Sequence, residues 1–214
     1  HKIFMAEEFC LFDIAQYQKR DYNNRNQIKT QDGIQWLSVP VESKNHFEKK
    51  ICDIKIVNNG WDRKHCKSIY FAYKKSKYLD LYFGSLEGII IKKHKFLTDL
   101  NLELLKFFLN CLELETSIKK ASDYNFEGSK SELVLDMCLK LGAKKYIFGS
   151  QGRNYANEKS FHENNIEVAF QEYKHPKYNQ LYGEFVSNLS IIDLLFNEGP
   201  QSKNIFIKNN LLSI

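Results

Sequence analysis

Residues 116 to 170 follow an alternation that few architectures accept. TSIKKA (116–121) opens it as a short strand. Ser129-Lys130-Ser131-Glu132 then has the form of a capping box, in which the Ser and Glu side chains satisfy each other's free backbone N–H groups. Leu133, Val134, Met137 and Leu141 follow on one helical face. Gly142 stands where that helix must stop, because a residue without Cβ accepts the left-handed backbone of a helix end. KYIFG (145–149) is a second strand, and the polar stretch from Asn157 to Asn164 has room for one or two helical turns. IEVAF (166–170) is a third strand, with Ile166, Val168 and Phe170 alternating against Glu167 and Ala169. Strands joined through helices pair in parallel by right-handed crossovers. Parallel strands bring their carboxyl ends to one edge, where open α/β sheets bind ligands.

Elsewhere the periods are shorter. Residues 8–14 (EFCLFDI), 34–41 (IQWLSVPV) and 51–57 (ICDIKIV) read as strands. Helical spacing appears at Trp61, His65, Ile69 and Tyr73, and again at Leu102, Leu105, Leu109 and Leu112. Ser190-Ile191-Ile192-Asp193 begins a last helix that Gly199-Pro200 ends. The expected fold class is α/β: a mostly parallel sheet with flanking helices, and a small antiparallel β-rich portion near residues 34–57. With 214 residues, 43% of them hydrophobic and 14% aromatic, the chain can bury one core, and residues 1–214 are expected to form a single domain.

Four segments after the expected strands are rich in Asn, Gln, Tyr, Ser, Lys and Arg: residues 15–26, 122–129, 149–155 and 171–180. The topology predicts that they meet at one rim and enclose a polar cleft. Asn23, Asn24, Arg25, Asn26 and Lys29 would form one wall, since Arg offers a planar fork and Asn both donor and acceptor. The plainer alternative is a capped, solvated loop. Lys64-His65 carries a candidate general base, although His65 shares a face with Trp61 and Ile69 and would equally serve as a core histidine. The loop GSQGRNY (149–155) places Ser150, Gln151, Gly152, Arg153 and Tyr155 after a strand, where backbone amides can cradle an anion. It is neither a Walker loop nor a dinucleotide fingerprint. His175-Pro176 with Tyr178 and Gln180 is a second candidate set, against a packing turn. Asp123 and Glu127 are candidate carboxylates on a strand-end loop, with Ser129 explained as a helix cap.

The charge balance limits the partners. Thirty-one basic residues against 26 acidic ones leave +5, with both signs interspersed. That suits a small anionic ligand and falls short of the concentrated basic face of a nucleic-acid binder, so no nucleic acid is expected and an RNA-binding domain ranks last. Five dispersed cysteines without a CxxC pair predict no metal site and a reduced compartment. Cys66 neighbours His65, but adjacent helical residues point apart, which argues against a Cys–His nucleophile. No apolar run is long enough to span a bilayer and no signal peptide is visible, so a cytoplasmic protein is expected, with peripheral membrane contact allowed.

The ordered set of these stretches resembles the WbqC-like protein family. The matching residues are Asp13…Gln16…Lys19, Asn24-Arg25-Asn26 with Ile28-Lys29, and Trp36-Leu37…Val39-Pro40-Val41. Trp61 with Lys64-His65, Tyr73, Tyr146, and Gly149 to Tyr155 follow. Phe170-Gln171…His175-Pro176…Tyr178…Gln180 and Leu189-Ser190-Ile191-Ile192-Asp193-Leu194-Leu195-Phe196-Asn197…Gly199 complete it. The resemblance implies that an opening strand and turn precede His1, and that Ile14-Ala15 stands where relatives carry Asp-Val. It also implies a role in O-antigen or related surface-glycan biosynthesis: an acyl or aminoacyl transferase, of the glycine type, acting on a nucleotide- or lipid-linked sugar. His65, His175 and Asp123 would then be the catalytic candidates. Asp13, Gln16, Lys19, Asn24, Arg25, Asn26, Lys29, Trp61, Lys64, Ser150, Gln151, Gly152, Arg153, Tyr155, Tyr178 and Gln180 would bind substrate. No cofactor is required by the sequence; ATP or an activated acyl donor would fit the chemistry. The rival is a non-catalytic sugar-nucleotide binding or scaffold protein of the same pathway, with stacked aromatics such as Tyr22, Trp61, Tyr155 and Tyr178.

Overall fold

The structure, a computed structural model, describes residues 1–42, 48–208 and 210. In chain order the first elements are β1 (Glu8–Leu11), β2 (Arg25–Thr30), β3 (Gly33–Ser38), α1 (Trp61–Tyr73), α2 (Leu79–Ile91) and α3 (Leu97–Cys111). They are followed by β4 (Ser117–Lys120), α4 (Lys130–Lys140), β5 (Lys145–Phe148), α5 (Glu158–Glu163), β6 (Glu167–Phe170), α6 (Ile191–Glu198) and α7 (Ser202–Ile207). The chain is thus an α/β protein. It divides into two compact units, one from residues 1–12, 116–174 and 210, the other from residues 13–42, 48–115 and 175–208.

The first unit holds the β-α-β-α-β run. β5 and β6 are parallel, from Lys145 opposite Glu167 to Phe148 opposite Phe170. β1 and β4 form a second parallel pair, Glu8 opposite Ser117 and Leu11 opposite Lys120. The expected strand over 8–14 therefore stops at Leu11. Val134, Met137, Cys138, Phe148, Phe161 and Ile166 make the core. Gly142 ends α4 with φ +70, and the Ala143 N–H reaches back to the Cys138 carbonyl at 2.9 Å. Ser129 precedes α4 as expected, but its hydroxyl makes no capping bond. The Glu132 N–H goes to the Ser129 carbonyl instead (3.0 Å), and the Ser131 hydroxyl accepts the Asn157 N–H at 2.9 Å.

The second unit packs α1, α2, α3 and α6 with the β2–β3 hairpin. That hairpin is antiparallel, Arg25 opposite Ser38 and Thr30 opposite Gly33. Tyr73, Leu86, Leu97, Leu100, Leu195 and Phe196 are almost fully buried there. Burying such a side chain contributes about 1.5–3 kcal/mol.

Several local expectations are corrected in this unit. Residues 51–57 are not a strand: Ile51–Asp53 is a 3₁₀ turn, with the Ile51 and Cys52 N–H groups bonded to the Ala15 and Asp13 carbonyls (both 2.9 Å). Among the described residues only isolated antiparallel bridges, Gln16 with Lys50, Val41 with Ile56 and Lys55 with Phe96, continue the β-rich portion. Ile54 and Ile56 are buried as their spacing required; the backbone bonds simply go to a neighbouring segment rather than to a ladder. Residues 25–30 form a strand that their polar composition conceals. α2 was not expected either, because Leu81, Phe83, Ile89 and Ile91 blur the buried period of Leu79, Tyr82, Leu86 and Ile90, and Gly84 and Gly88 read as breakers. Finally, α6 is followed by the short α7 and is not the last helix.

Candidate functional site

In the second unit the hairpin and α1 enclose an open cleft of about 980 Å³. Gln35, Trp36 and Ser38 come from β3, and Lys64, His65, Lys67 and Phe71 from α1. The Gln35 amide donates to the Ser68 hydroxyl at 3.4 Å across it. His65 occupies both of its expected places at once. Its ring stands edge-on to buried Trp61 with centroids 4.9 Å apart, and it also lines the cleft. Burial holds the imidazole below its usual pKa, opposed by a hydrogen bond to the backbone of Ser38. His65 is therefore neutral at pH 7, the form that can accept a proton.

A second polar cluster in the same unit surrounds Asp193, which is fully buried. The Tyr73 and Tyr178 hydroxyls donate to its two carboxylate oxygens, each at 2.9 Å. The Lys29 backbone N–H donates to the Tyr73 oxygen at 3.2 Å. The Lys29 ammonium donates to Gln180 Oε1 at 3.2 Å and to the Glu184 carbonyl at 2.5 Å. Gln180 in turn clamps the Val186 backbone, donating to its carbonyl (2.8 Å) and accepting its N–H (2.9 Å). Burial pushes the Asp193 carboxyl above the usual carboxylate range, against the tyrosine hydrogen bonds. Three candidate substrate ligands, Lys29, Tyr178 and Gln180, thus hold the chain around a buried carboxylate.

The amide row is also committed to partners within the chain. Asn24 donates to the Val39 carbonyl at 2.7 Å, and the Val39 N–H returns to the Asn24 carbonyl at 2.8 Å, closing the base of the hairpin. The Asn23 carbonyl accepts from the Asn101 amide at 3.0 Å. Arg25 donates to the Arg20 carbonyl and lays its guanidinium 4.1 Å over the Trp36 ring. Asn26 is exposed, and its Oδ1 accepts the Gln27 N–H. Asp13 is buried, whereas Gln16 and Lys19 are exposed. His175 has Nδ1 2.9 Å from the Pro176 carbonyl oxygen and rings of Tyr178 and Phe185 beside it; it does not line the cleft.

The remaining candidates belong to the first unit. Asp123 is exposed and ion-paired with Lys120 at 3.2 Å. Ser150–Asn154 is a 3₁₀ turn after β5. There Gln151 accepts from the Asn154 amide (3.2 Å), and Arg153 is ion-paired with Glu172 (3.1 Å) above the Phe170 ring. Gly152 is required by packing: a Cβ there would lie 2.5 Å from that of Phe148. Tyr155 is exposed, edge-on to Phe148. Of the four polar loops, residues 122–129 and 149–155 lie in this unit and 15–26 in the other, while 171–180 divides after Lys174.

Burial raises the Cys66 thiol to about 11 and Cys138 to about 12, which removes both as nucleophiles near neutral pH. Among the described residues no group of three or more His, Cys, Asp or Glu side chains could hold a metal ion, and no helix is long and apolar enough to cross a membrane.

The profile of the WbqC-like protein family matches residues 1–205. The chain belongs to this family. It is also 34% identical over 202 residues to the uncharacterized protein Rv1507c of Mycobacterium tuberculosis, covering 94% of this chain and 87% of that protein. No solved structure matches it. Of the residues that mark this WbqC-like chain, Trp36, Leu37, Lys64 and His65 line the cleft, while Lys29, Tyr73, Tyr178, Gln180 and Asp193 join in the buried polar cluster. Sequence reasoning took Asp193 only as part of a helix start and passed over Trp36, Lys67, Lys74 and Lys75 as cleft residues. For the lysines a signal existed, since 64, 67, 74 and 75 share one helical face.

Proposed function

We propose that this WbqC-like protein is a transferase of bacterial surface-polysaccharide biosynthesis that attaches an amino acid or other acyl group to a sugar. The observation that carries the reading is His65: a neutral imidazole on the wall of an open cleft whose other groups suit a glycan. Trp36 offers a stacking face, and Gln35, Ser38 and Ser68 offer hydroxyl and amide partners. In the step proposed, an acceptor amine or hydroxyl attacks the carbonyl carbon of an activated acyl donor such as a thioester or acyl phosphate. His65 takes the proton as the new C–N or C–O bond forms. The bond to the leaving group then breaks, and His65 returns the proton to it. The lysines that line the cleft supply positive charge for the oxyanion. The test is to incubate the protein with candidate donors and sugar acceptors and follow the acceptor's mass. Acylated sugar from wild type, lost in His65→Ala, supports the reading; full turnover in His65→Ala removes the assigned base.

One observation favours the non-catalytic alternative. The His65 ring is bonded to backbone at Ser38, and among the described residues no carboxylate is hydrogen-bonded to it as an orienting partner. Saturable sugar-nucleotide binding with no covalent product would establish that alternative.

A further inference from the structure

The exposed face of α1 carries Lys64 and Lys67, followed just beyond its end by Lys74 and Lys75, and all four line the cleft. Residues 64, 67, 71, 74 and 75 fall on one side of a helix at 100° per residue. The Lys67 and Lys74 ammonium groups both converge on the Phe71 ring, 5.9 and 5.1 Å from its centroid. Like charges at such spacing repel and destabilise a helix. Elsewhere the chain neutralises such lysines locally: Lys140 pairs with Asp136 on α4, and Lys159 with Glu163 on α5. On α1 the sole acidic residue is Asp62, and it is taken by Lys93 at 2.6 Å. Among the described residues none of the four cleft lysines forms an ion pair. Asp32 is the one carboxylate in the lining.

We propose that this lysine face is a diphosphate-binding site, with Lys64 and Lys67, one turn apart, on the phosphates, and Trp36 on the opposite wall against the attached sugar. Lysine binds phosphate as a point charge and needs no fixed fork. The cleft has the volume of a small-molecule site rather than the length of a nucleic-acid track. The substrate class is therefore a sugar linked through a diphosphate, whether to a nucleoside or to a lipid. The sugar's identity as acceptor rests on the acyl-transfer reading; the phosphate site does not.

The test is calorimetric titration of the full chain with inorganic pyrophosphate, UDP-N-acetylglucosamine, and phosphatidylglycerol vesicles with and without a polyprenyl diphosphate. Saturable pyrophosphate binding is expected, weakened at least tenfold in a Lys64→Gln/Lys67→Gln double variant whose melting temperature is no lower than that of wild type. It should also weaken with added salt. Lys106→Gln, an exposed lysine of α3 outside the cleft, should bind as wild type does. Tighter binding of the sugar nucleotide assigns a nucleoside diphosphate, and binding to only the doped vesicles assigns a lipid diphosphate. Absence of pyrophosphate binding, undiminished binding in the double variant, or equal weakening in Lys106→Gln overturns the site. Binding that persists where no acyl transfer occurs removes only the transferase reading. Transfer without diphosphate binding removes only this site.

Discussion

The Tyr73 hydroxyl donates to a carboxylate oxygen of Asp193 at 2.9 Å while accepting the Lys29 backbone N–H at 3.2 Å. One phenol thereby ties strand β2 to helix α6 through the C-terminal end of α1. Asp193 extends the tie to Tyr178, and its own carbonyl accepts the Asn197 amide at 2.7 Å. A fully buried carboxylate is tolerated only where such partners replace water.

Tyr73→Phe removes one hydrogen bond to the buried Asp193 carboxylate and the hydroxyl that accepts the Lys29 N–H. It is expected to lower unfolding stability by about 1–3 kcal/mol, read as a lower urea midpoint with an unchanged slope. Tyr178→Phe should cost less, because Tyr178 is only half-buried and water can replace it.

Asp193 also gives a signed pH dependence. Its folded pKa lies above the unfolded value, so the folded state binds the extra proton between them and stability falls as pH rises through that window. Asp193→Asn lacks this titration. The stability advantage of wild type over Asp193→Asn should therefore shrink as pH is raised from the usual Asp pKa through the folded one. An advantage that grows with pH would contradict the burial argument.

His65 titrates in the opposite sense. Its folded pKa is below the usual 6.5, so the ring deprotonates before neutral pH. An imidazole NMR titration should place its midpoint below 6.5. Acyl transfer, where measured, should show an acid limb at that same midpoint, and His65→Ala should lose roughly 10²–10⁴-fold in rate.

The two glycines of the 149–155 loop separate packing from permissiveness. Gly152→Ala drives a Cβ into Phe148 and is expected to cost about 1–3 kcal/mol. Gly149→Ala has open space and an ordinary backbone (φ −67), and should be close to neutral by the same denaturation measurement.

Much of the fold was legible along the chain because period and punctuation are local properties. The strand–helix alternation over 116–170, the Gly142 stop and the α1 face need nothing beyond their own neighbours, and the structure has them within a few residues. The 25–30 strand was not legible, since a hairpin strand of Arg, Asn, Gln, Lys and Thr around a single Ile declares itself only through its pairing with β3. Residues 51–57 failed the other way: alternating isoleucines predict burial correctly, but which backbone groups they bond depends on what lies alongside.

The candidate site shows the same division. Sequence alone determined which residue types were available: the imidazole of His65, the lysines of α1, and the amides and tyrosines of the family pattern. Tertiary structure alone decided their duties. Lys29, Tyr178 and Gln180 look in sequence as suited to a ligand as Lys64 does, yet burial beside Asp193 commits them to the framework, while Lys64, His65 and Lys67 face an open cleft. The physical reason is that a polar group taken from water must find its partners within the protein, and only the packed chain determines which groups are taken from water.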